Sequence, residues 1–234
     1  MTNNNDKRIK VVKNGPFLVS GKIPMIKLII NTDKTGYPYE WIEKEEYPQK
    51  EEYALCRCGQ SKNKPYCDGT HAKNSFEGAE TASREPYMDG AKKIEGSGLV
   101  LTDNHALCNH AGFCTRAGGI GYLVMHSDNP EAKKAAIQIA SNCNSGRFVV
   151  YDKETENPIE PDFEPSIAVT EEPEKGVSGP LWVRGGIPIE SSDGAVYEVR
   201  NRVTLCRCGK SSNKPFCDGT HIMTGFDDGD ESIK

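Results

Sequence analysis

The strongest constraint on this chain is a stretch of sixteen residues that occurs twice. CRCGQSKNKPYCDGTH runs from Cys56 to His71, and CRCGKSSNKPFCDGTH runs from Cys206 to His221. Only three of the sixteen positions differ between the copies. Each copy holds three cysteines and one histidine in C-x-C-x8-C-x3-H spacing, and both side chains are metal ligands. The fold therefore has to gather four ligands in two places.

The nine cysteines favour three metal sites over a disulfide framework. An odd number of cysteines cannot all pair within one chain, and a reducing compartment would keep them as thiols. They fall into three sets of three along the sequence. The sets comprise Cys56, Cys58 and Cys67, then Cys108, Cys114 and Cys143, then Cys206, Cys208 and Cys217.

The repeat extends beyond the cysteines. GPFLVSGKIP at 15–24 matches GPLWVRGGIP at 179–188 at six of ten positions, and the β-branched and aromatic content of both predicts short strands. The middle of the chain differs. NPEAKKAAIQIASNC at 129–143 predicts a helix, with Asn129 as a capping candidate and Pro130 in its first turn. Strand-like segments at 99–102 and 147–152 flank that helix.

These patterns predict an α+β chain in which two small, strand-rich lobes flank a middle domain. The acidic, proline-rich composition after residue 155 predicts an extended linker, and both chain ends predict tails. The expected segments are a flexible tail at 1–14, a first lobe at 15–90, a middle domain at 91–155, a linker at 156–176, a second lobe at 177–228 and a tail at 229–234.

The ligand spacing favours a binuclear iron–sulfur centre in each repeat. Cys56 and Cys58 can bind one iron, while Cys67 and His71, at i and i+4, can share one face of a helical turn and bind a second. Two ligands on each iron are what a [2Fe–2S] cluster requires. A structural zinc of Cys3His type satisfies the same ligand count, although zinc sites more often use C-x2-4-C spacing.

The two copies closely resemble the motif of the CDGSH iron–sulfur (NEET) family. The pattern C-x-C-x2-S-x3-P-x-C-D-G-T-H is met at every position in both, with Thr70 and Thr220 where serine is common. The resemblance implies a strand-rich cap over each cluster-binding lobe. Because the family usually forms homodimers, it also implies that the two lobes pack as an internal pseudo-dimer in a monomeric chain. The implied [2Fe–2S] ligands are Cys56, Cys58, Cys67 and His71 in the first lobe and Cys206, Cys208, Cys217 and His221 in the second.

The middle cysteines are similar to those of a divergent, single-cluster ferredoxin-like domain. Cys108 and Cys114 are separated by five residues, and Cys143 follows the predicted helix. Three thiolates suit a [3Fe–4S] cluster, and His110 would complete a [4Fe–4S] cluster. Ala111 and Asn144 depart from the usual ferredoxin cysteine pattern. A degenerate fold whose cysteines are merely buried is therefore the alternative.

Histidine ligation indicates what such centres can do. Three thiolates leave an oxidised [2Fe–2S] cluster less negative than four would, which makes reduction easier. Imidazole is also the ligand that protonates nearest neutral pH, so the cluster should be lost in acid. We expect electron transfer or cluster transfer to a redox or cluster-acceptor protein, and no enzyme activity. A zinc-stabilised interaction module is the alternative, and an oxidoreductase would need a pocket that the sequence does not reveal.

The net charge and the hydropathy of the chain limit the classes of partner that it can bind. A net charge of −5 argues against nucleic-acid binding, and no apolar run is long enough for a membrane helix. The first residues lack a secretory apolar segment, so a cytoplasmic location is expected. Two roles are open for the basic residues within the repeats: they keep the protein soluble, or they compensate the negative charge of a cluster. They are Arg57, Lys64, Arg207 and Lys214.

Overall fold

The computed structural model describes residues 6–233, which form strands and short helices in three sheets. The strands are β1 (Arg8–Val11), β2 (Phe17–Ser20), β3 (Met25–Thr32), β4 (Pro38–Glu46), β5 (Glu52–Leu55), β6 (Lys92–Glu95), β7 (Leu99–Asp103), β8 (Phe148–Asp152), β9 (Pro158–Ile159), β10 (Ser166–Glu172), β11 (Val177–Arg184), β12 (Ile189–Glu190) and β13 (Arg202–Leu205).

The helices are mostly short. The α-helices are α1 (Thr70–Lys73), α2 (Ile120–Met125), α3 (Pro130–Asn142) and α4 (Thr220–Met223). Short 3-10 segments span Tyr87–Gly90, His105–Leu107, Phe113–Gly118, Pro173–Lys175 and Glu231–Ile233, and the segment Phe113–Gly118 is kinked at Arg116 and Ala117. Within residues 6–233, no helix has the length and apolar character needed to cross a membrane.

Two of the sheets contain strands from both lobes. One has the order β12-β1-β2-β5 and the other the order β13-β11-β10-β3-β4. After β2 the chain crosses over, and β3 pairs in parallel with β10 of the second lobe. After β11 it crosses back, and β12 pairs in parallel with β1 of the first lobe. The first lobe thus contributes β3 and β4 to the sheet of the second, and the second lobe contributes β12 to the sheet of the first.

The repeated GP segments occupy equivalent places in the two sheets. Phe17 of β2 lies opposite Leu55 of β5, and Leu181 of β11 lies opposite Leu205 of β13. All four side chains are fully buried and belong to one apolar core that spans both sheets. Leu55 and Leu205 directly precede the first cysteine of each repeat. The shared core therefore fixes where both cysteine segments begin.

The middle domain is an α+β unit, as the sequence predicts. Its antiparallel sheet has the order β6-β7-β8-β9, and α2 and α3 pack on that sheet through a separate apolar core. The predicted helix is confirmed as α3. The Asn129 side chain accepts hydrogen bonds from the backbone N–H groups of Glu131 and Ala132, which satisfies two free donors at the helix start.

Two side chains from the lobes hold the middle domain in place. The buried Arg202 of β13 donates to the carbonyl of Ala140, at the end of α3, and to that of Cys143 at 3.0 Å. A cation at a helix carboxyl end complements its unpaired carbonyls. Trp41 of β4 donates to the carbonyl of Asn142 at 3.0 Å and packs against the ring of Phe113.

The prediction of a linker at 156–176 is wrong for its second half. Ser166–Glu172 is β10, a strand in the interior of the second sheet, and all seven of its residues are buried. The acidic residues that suggested solvent exposure are paired inside the protein, Glu171 with Arg207 and Glu172 with Lys175. Composition alone could not reveal those partners.

The predicted tails are also partly wrong. The first tail contains β1, which is hydrogen-bonded on both sides, while residues 1–5 of that prediction lie outside the described part of the chain. In the last segment, the Asp230 carboxylate binds the Lys27 ammonium at 2.5 Å, and both side chains are largely buried. This ion pair fastens the segment after the second lobe to β3. Residue 234 lies outside the described residues.

Candidate metal centres

Each repeated segment folds back along the strand that precedes it. In the first copy the N–H of Cys56 donates to the carbonyl of Pro65 at 2.8 Å, and that of Cys67 donates to the carbonyl of Ala54 at 2.9 Å. The second copy makes the two equivalent bonds at 2.9 Å each. The third cysteine therefore returns to a position beside the first two.

An aspartate and a glycine then place the histidine. The two carboxylate oxygens of Asp68 accept from the N–H groups of Lys62 and Thr70, both at 2.9 Å, and these bonds lower the pKa of Asp68. Gly69 has φ of 85°, a conformation that other residues rarely adopt. The turn starts α1 and puts His71 one turn beyond Cys67. In the second repeat the Asp218 carboxylate accepts the equivalent bonds from the N–H groups of Ser212 and Thr220, directly before α4.

The ligand atoms in both repeats form two close pairs. The sulfurs of Cys56 and Cys58 are 3.8 Å apart, and the sulfur of Cys67 is 3.3 Å from Nδ1 of His71. The corresponding distances in the second repeat are 3.6 Å and 3.4 Å. Two thiolates on one tetrahedral metal, with metal–sulfur bonds of about 2.3 Å, would be separated by roughly this distance.

A single zinc would bring all four ligand atoms equally close, and they are not. Within residues 6–233, the only three Cys, His, Asp or Glu side chains whose ligand atoms all lie within 4.8 Å of one another are Glu171, Asp228 and Asp230. Arg207 binds the first two of these carboxylates, and Lys27 binds the third, so this trio already has its cations. Two separated pairs in each repeat fit two metal ions better than one.

Burial makes several of these thiols harder to ionise, whereas the hydrogen bond with Cys208 lowers the pKa of Cys206 to about 6. Burial is the largest cause that raises the pKa of Cys58, to about 11, and it also raises those of Cys67 and Cys217. Neighbouring cysteine sulfurs raise the pKa of each of these thiols further. Thiolates are the form that binds metal, so a cation has to offset this cost when they form.

The two sites differ in their exposure to solvent. In the second repeat, the side chains of Cys217 and His221 are buried, with 3% and 1% exposed. In the first repeat, Cys67 and His71 are partly exposed. The two sequences are nearly identical here, so the difference arises from the segments packed around them.

The arginine after the first cysteine is buried in both repeats, which excludes a role in solubility. Arg57 donates to the carbonyl of Gly78 at 2.5 Å, and Arg207 binds the carboxylates of Glu171, at 2.7 Å, and Asp228. Each arginine ties the segment after α1 or α4 back to the cysteine loop. Within the described residues, no carboxylate lies within ion-pair distance of Arg57.

The two cysteine loops touch each other through a reciprocal pair of glycines. A Cβ added to Gly59 would lie 2.5 Å from the carbonyl oxygen of Cys208, and one added to Gly209 would lie 2.5 Å from that of Cys58. Both glycines also have φ near 76°, at 75° and 77°. Only a residue without a side chain permits this approach, which brings the two ligand sets side by side.

The three middle cysteines also come together. Burial is the main cause that raises the pKa of the Cys114 thiol, and the neighbouring sulfurs of Cys143 and Cys108 act in the same direction. Asn109 donates to the side-chain oxygen of Asn144 at 2.8 Å, which joins the two segments that carry these cysteines. One common site for the three thiols stays a prediction.

Two polar side chains near the middle thiols suit a sulfur-rich centre. The amide nitrogen of Asn144 is buried, and nothing in the described part of the chain accepts its hydrogen bond. The Arg147 guanidinium donates to both carboxylate oxygens of Asp103, at 2.6 and 2.8 Å, which raises the pKa of Arg147, and the nearby Cys108 sulfur acts in the same direction. Both side chains carry N–H groups that can donate hydrogen bonds to a thiolate or a cluster sulfide. The sequence marked Asn144 only as a departure from the ferredoxin pattern.

His110 lies where the middle site meets the second repeat. Its side chain is exposed, and its ring packs against Gly219, between Cys217 and His221. A Cβ on Gly219 would lie 2.5 Å from Cδ2 of His110, whereas one on Gly69 in the first repeat would have no atom within 4 Å. The middle site therefore contacts the second repeat. The role of His110 as a ligand stays a prediction.

This contact predicts different effects for the same substitution in the two repeats. Gly69 and Gly219 have φ of 85° and 86°, so alanine should cost about 1–2 kcal/mol of unfolding free energy at either position. Gly219→Ala must also displace residues 109–110, at a further cost of about 1–3 kcal/mol. Denaturant unfolding and hydrogen exchange of residues 108–114 measure this, with Gly69→Ala as the matched control. Equal costs and unchanged exchange would contradict the contact.

Comparisons with known families agree with this description. The family described as iron-binding zinc finger CDGSH type matches residues 14–72 and 178–222. The family described as divergent 4Fe-4S mono-cluster matches residues 94–153. Comparisons with curated proteins and with solved structures found no match.

The fold and its cysteine sites define an iron–sulfur protein of α+β class. The chain contains two segments of the CDGSH iron–sulfur type in a tandem layout, with a divergent ferredoxin-like domain between them.

Proposed function

We propose that the protein is an electron-transfer protein with three iron–sulfur centres. Two [2Fe–2S] clusters are bound by three cysteines and one histidine each, and a cluster of three or four irons is bound in the middle domain. The observation that carries this proposal is the contact between the sites. The two cysteine loops meet at Gly59 and Gly209, and the middle loop meets the second repeat at Gly219.

The paired ligand atoms support the [2Fe–2S] assignment. In each repeat, two sulfurs form one pair and a sulfur with Nδ1 of histidine forms the other, which is the two-and-two division that such a cluster needs. A bound cluster supplies a one-electron acceptor. The protein residues hold it between the loops and shield it, most completely in the second repeat.

The thiols and a buried amide of the middle domain support the assignment of a third cluster there. Cys108, Cys114 and Cys143 are the proposed ligands, with His110 as a possible fourth. The buried, unpaired amide of Asn144 is adjacent to Cys143 and suits a sulfide acceptor. An empty thiol cluster would leave this donor without any partner, which is costly in a protein interior.

Electron transfer fits all three sites, whereas cluster transfer does not fit the second repeat. A cluster in the second repeat would be enclosed by buried ligands and could not reach an acceptor protein without local opening. The partly exposed Cys67 and His71 make cluster transfer from the first repeat a second candidate function. Incubation with an apo-ferredoxin of the plant type distinguishes the two, because only cluster transfer would load that acceptor with iron.

We propose further that the two lobes act as an internal pseudo-dimer and that the chain is a monomer. The reciprocal crossing of β3 and β12 supports this, as does the reciprocal contact of Gly59 and Gly209. Each lobe then finds within the chain the partner that a single-repeat protein gains by dimerising. A redox protein is the proposed external partner.

We propose no substrate-converting activity of its own. A cavity of about 150 Å³ lies between the second repeat and the middle domain and includes Tyr87, Tyr197, Arg200 and Cys217 in its lining. Small-molecule sites usually occupy about 300–1,000 Å³, so this cavity beside a proposed cluster ligand is small for a substrate. Two larger cavities, of about 440 and 570 Å³, are lined by none of the proposed cluster ligands.

Metal analysis of anaerobically purified protein tests the proposal. We expect a red-brown protein that contains iron and acid-labile sulfide and little zinc, with an electron paramagnetic resonance signal after reduction. Pulsed measurements on that signal should detect a coordinated nitrogen from histidine. A colourless protein with two zinc ions per chain would instead support the zinc-stabilised interaction module.

A further inference from the structure

A carboxylate holds the histidine ligand of the second repeat but not that of the first. Nε2 of His221 lies 3.0 Å from Oε1 of Glu172, and both side chains are at least 98% buried. With Nδ1 directed at Cys217, this is the arrangement in which the other ring nitrogen donates to an oriented acceptor. Within residues 6–233, no hydrogen-bond partner contacts Nε2 of His71.

The same carboxylate leads on to the middle site. Oε2 of Glu172 binds the Lys175 ammonium at 2.5 Å. Lys175 also donates to the carbonyls of His110, at 2.7 Å, and Ala111, at 3.3 Å. These residues lie inside the Cys108-x5-Cys114 loop. A continuous chain of hydrogen bonds therefore runs from His221 to the backbone of the middle cysteine loop.

The first lobe has no equivalent of this bridge, because its connection is shorter. Val11 and Val169 occupy matching positions, opposite Phe17 and Leu181 in their sheets. Residues 12–14 lead to the following Gly-Pro in the first lobe, whereas residues 170–178 do so in the second. The longer segment supplies both Glu172 and Lys175.

We propose that Glu172 is a positioning residue for the His221 ligand, and that the Glu172–Lys175 pair gives the second centre a reduction potential different from that of the first. The inference rests on the proposed function. The buried negative charge of the Glu172 carboxylate, beside the His221 ring, disfavours an added electron on the cluster. The adjacent Lys175 ammonium partly offsets that effect. Lys175 also makes the second centre sensitive to the middle loop that it binds.

Two substitutions should shift the second potential in opposite directions. Glu172→Gln removes the negative charge but keeps an oxygen acceptor, so the potential should rise. Lys175→Met removes the offsetting positive charge, so the potential should fall. Neither substitution should change the reduction potential of the first centre. Damage to the fold would not shift the potential in opposite directions in the two variants. The pair therefore distinguishes an electrostatic effect from a disrupted structure.

Redox titration followed by electron paramagnetic resonance measures these shifts. All variants are made with His71→Cys, which lowers the potential of the first centre and so marks its signal. Glu174→Gln is the matched control, because Glu174 is an exposed carboxylate of the same turn and binds Thr32 instead of a ligand.

The outcomes separate this inference from the proposed function. Opposite shifts confined to the second centre, with Glu174→Gln unchanged, support it. If two [2Fe–2S] signals are present but the second potential is unchanged in Glu172→Gln, the role of Glu172 is overturned and the proposed function stands. The same holds if Glu174→Gln shifts that potential by an equal amount. A protein without [2Fe–2S] signals overturns both. If Glu172→Gln does not fold, an unchanged second potential in Lys175→Met overturns the inference.

Discussion

Replacing Arg207 with methionine is expected to lower the free energy of unfolding by about 3–5 kcal/mol. The Arg207 guanidinium is buried and binds the carboxylates of Glu171 and Asp228. Without it, both carboxylates remain in the interior without their cation. Burial already raises the pKa of Glu171 to about 7, and the charge of Arg207 opposes that rise. Denaturant unfolding of anaerobic protein at one fixed pH measures the loss.

Arg57→Met is the matched control for that substitution. Arg57 occupies the same place in the first repeat and packs on Phe17 and Phe76, much as Arg207 packs on Phe226. It binds the carbonyls of Val12 and Gly78 and no carboxylate among residues 6–233. Its loss should therefore cost only about 1–3 kcal/mol. Equal losses in the two variants would show that the buried ion pairs add little to stability.

Changing Cys108, Cys114 and Cys143 to serine should reduce the iron content from about seven or eight per chain to about four. Two [2Fe–2S] clusters supply only four irons, and the remainder would belong to the middle centre. Iron analysis of strictly anaerobic protein measures the change. The visible absorption of the CDGSH-type clusters should remain, which serves as the internal control.

His110→Ala refines the same measurement. If His110 binds a [4Fe–4S] cluster, its replacement should lower the iron content by about one, whereas a [3Fe–4S] cluster on three thiolates should be unaffected. An unmutated protein that already holds only four irons under anaerobic conditions would contradict the middle centre. The middle domain would then be a structural unit whose cysteines are not ligands.

The close approach of Cys67 and His71 could be predicted from the sequence because it depends on local spacing. Cys67 and His71 stand one helical turn apart whatever surrounds them, and Asn129 caps its helix through the next two residues. The strands at 17–20 and 148–152 follow in the same way from short patterns of β-branched and aromatic residues. The placement of these elements relative to one another does not follow from such patterns.

The errors arose where a distant partner determines the environment. Glu171 and Glu172 suggest solvent in sequence, yet both are buried because Arg207 and Lys175 neutralise them. For Arg57 the sequence left solubility and compensation of cluster charge open, and its partners are the distant carbonyls of Val12 and Gly78. The exchange of β3 and β12 between the lobes depends on pairing across more than a hundred residues, which local composition does not encode.

Native mass spectrometry of the anaerobic protein tests the central proposal most directly. A single spectrum gives the number of chains, irons, sulfides and zinc ions in the intact particle. The expected mass is that of one chain with two [2Fe–2S] clusters and one further cluster of three or four irons. A chain that carries zinc without sulfide would contradict the account, and so would a dimer whose two chains together hold only two clusters.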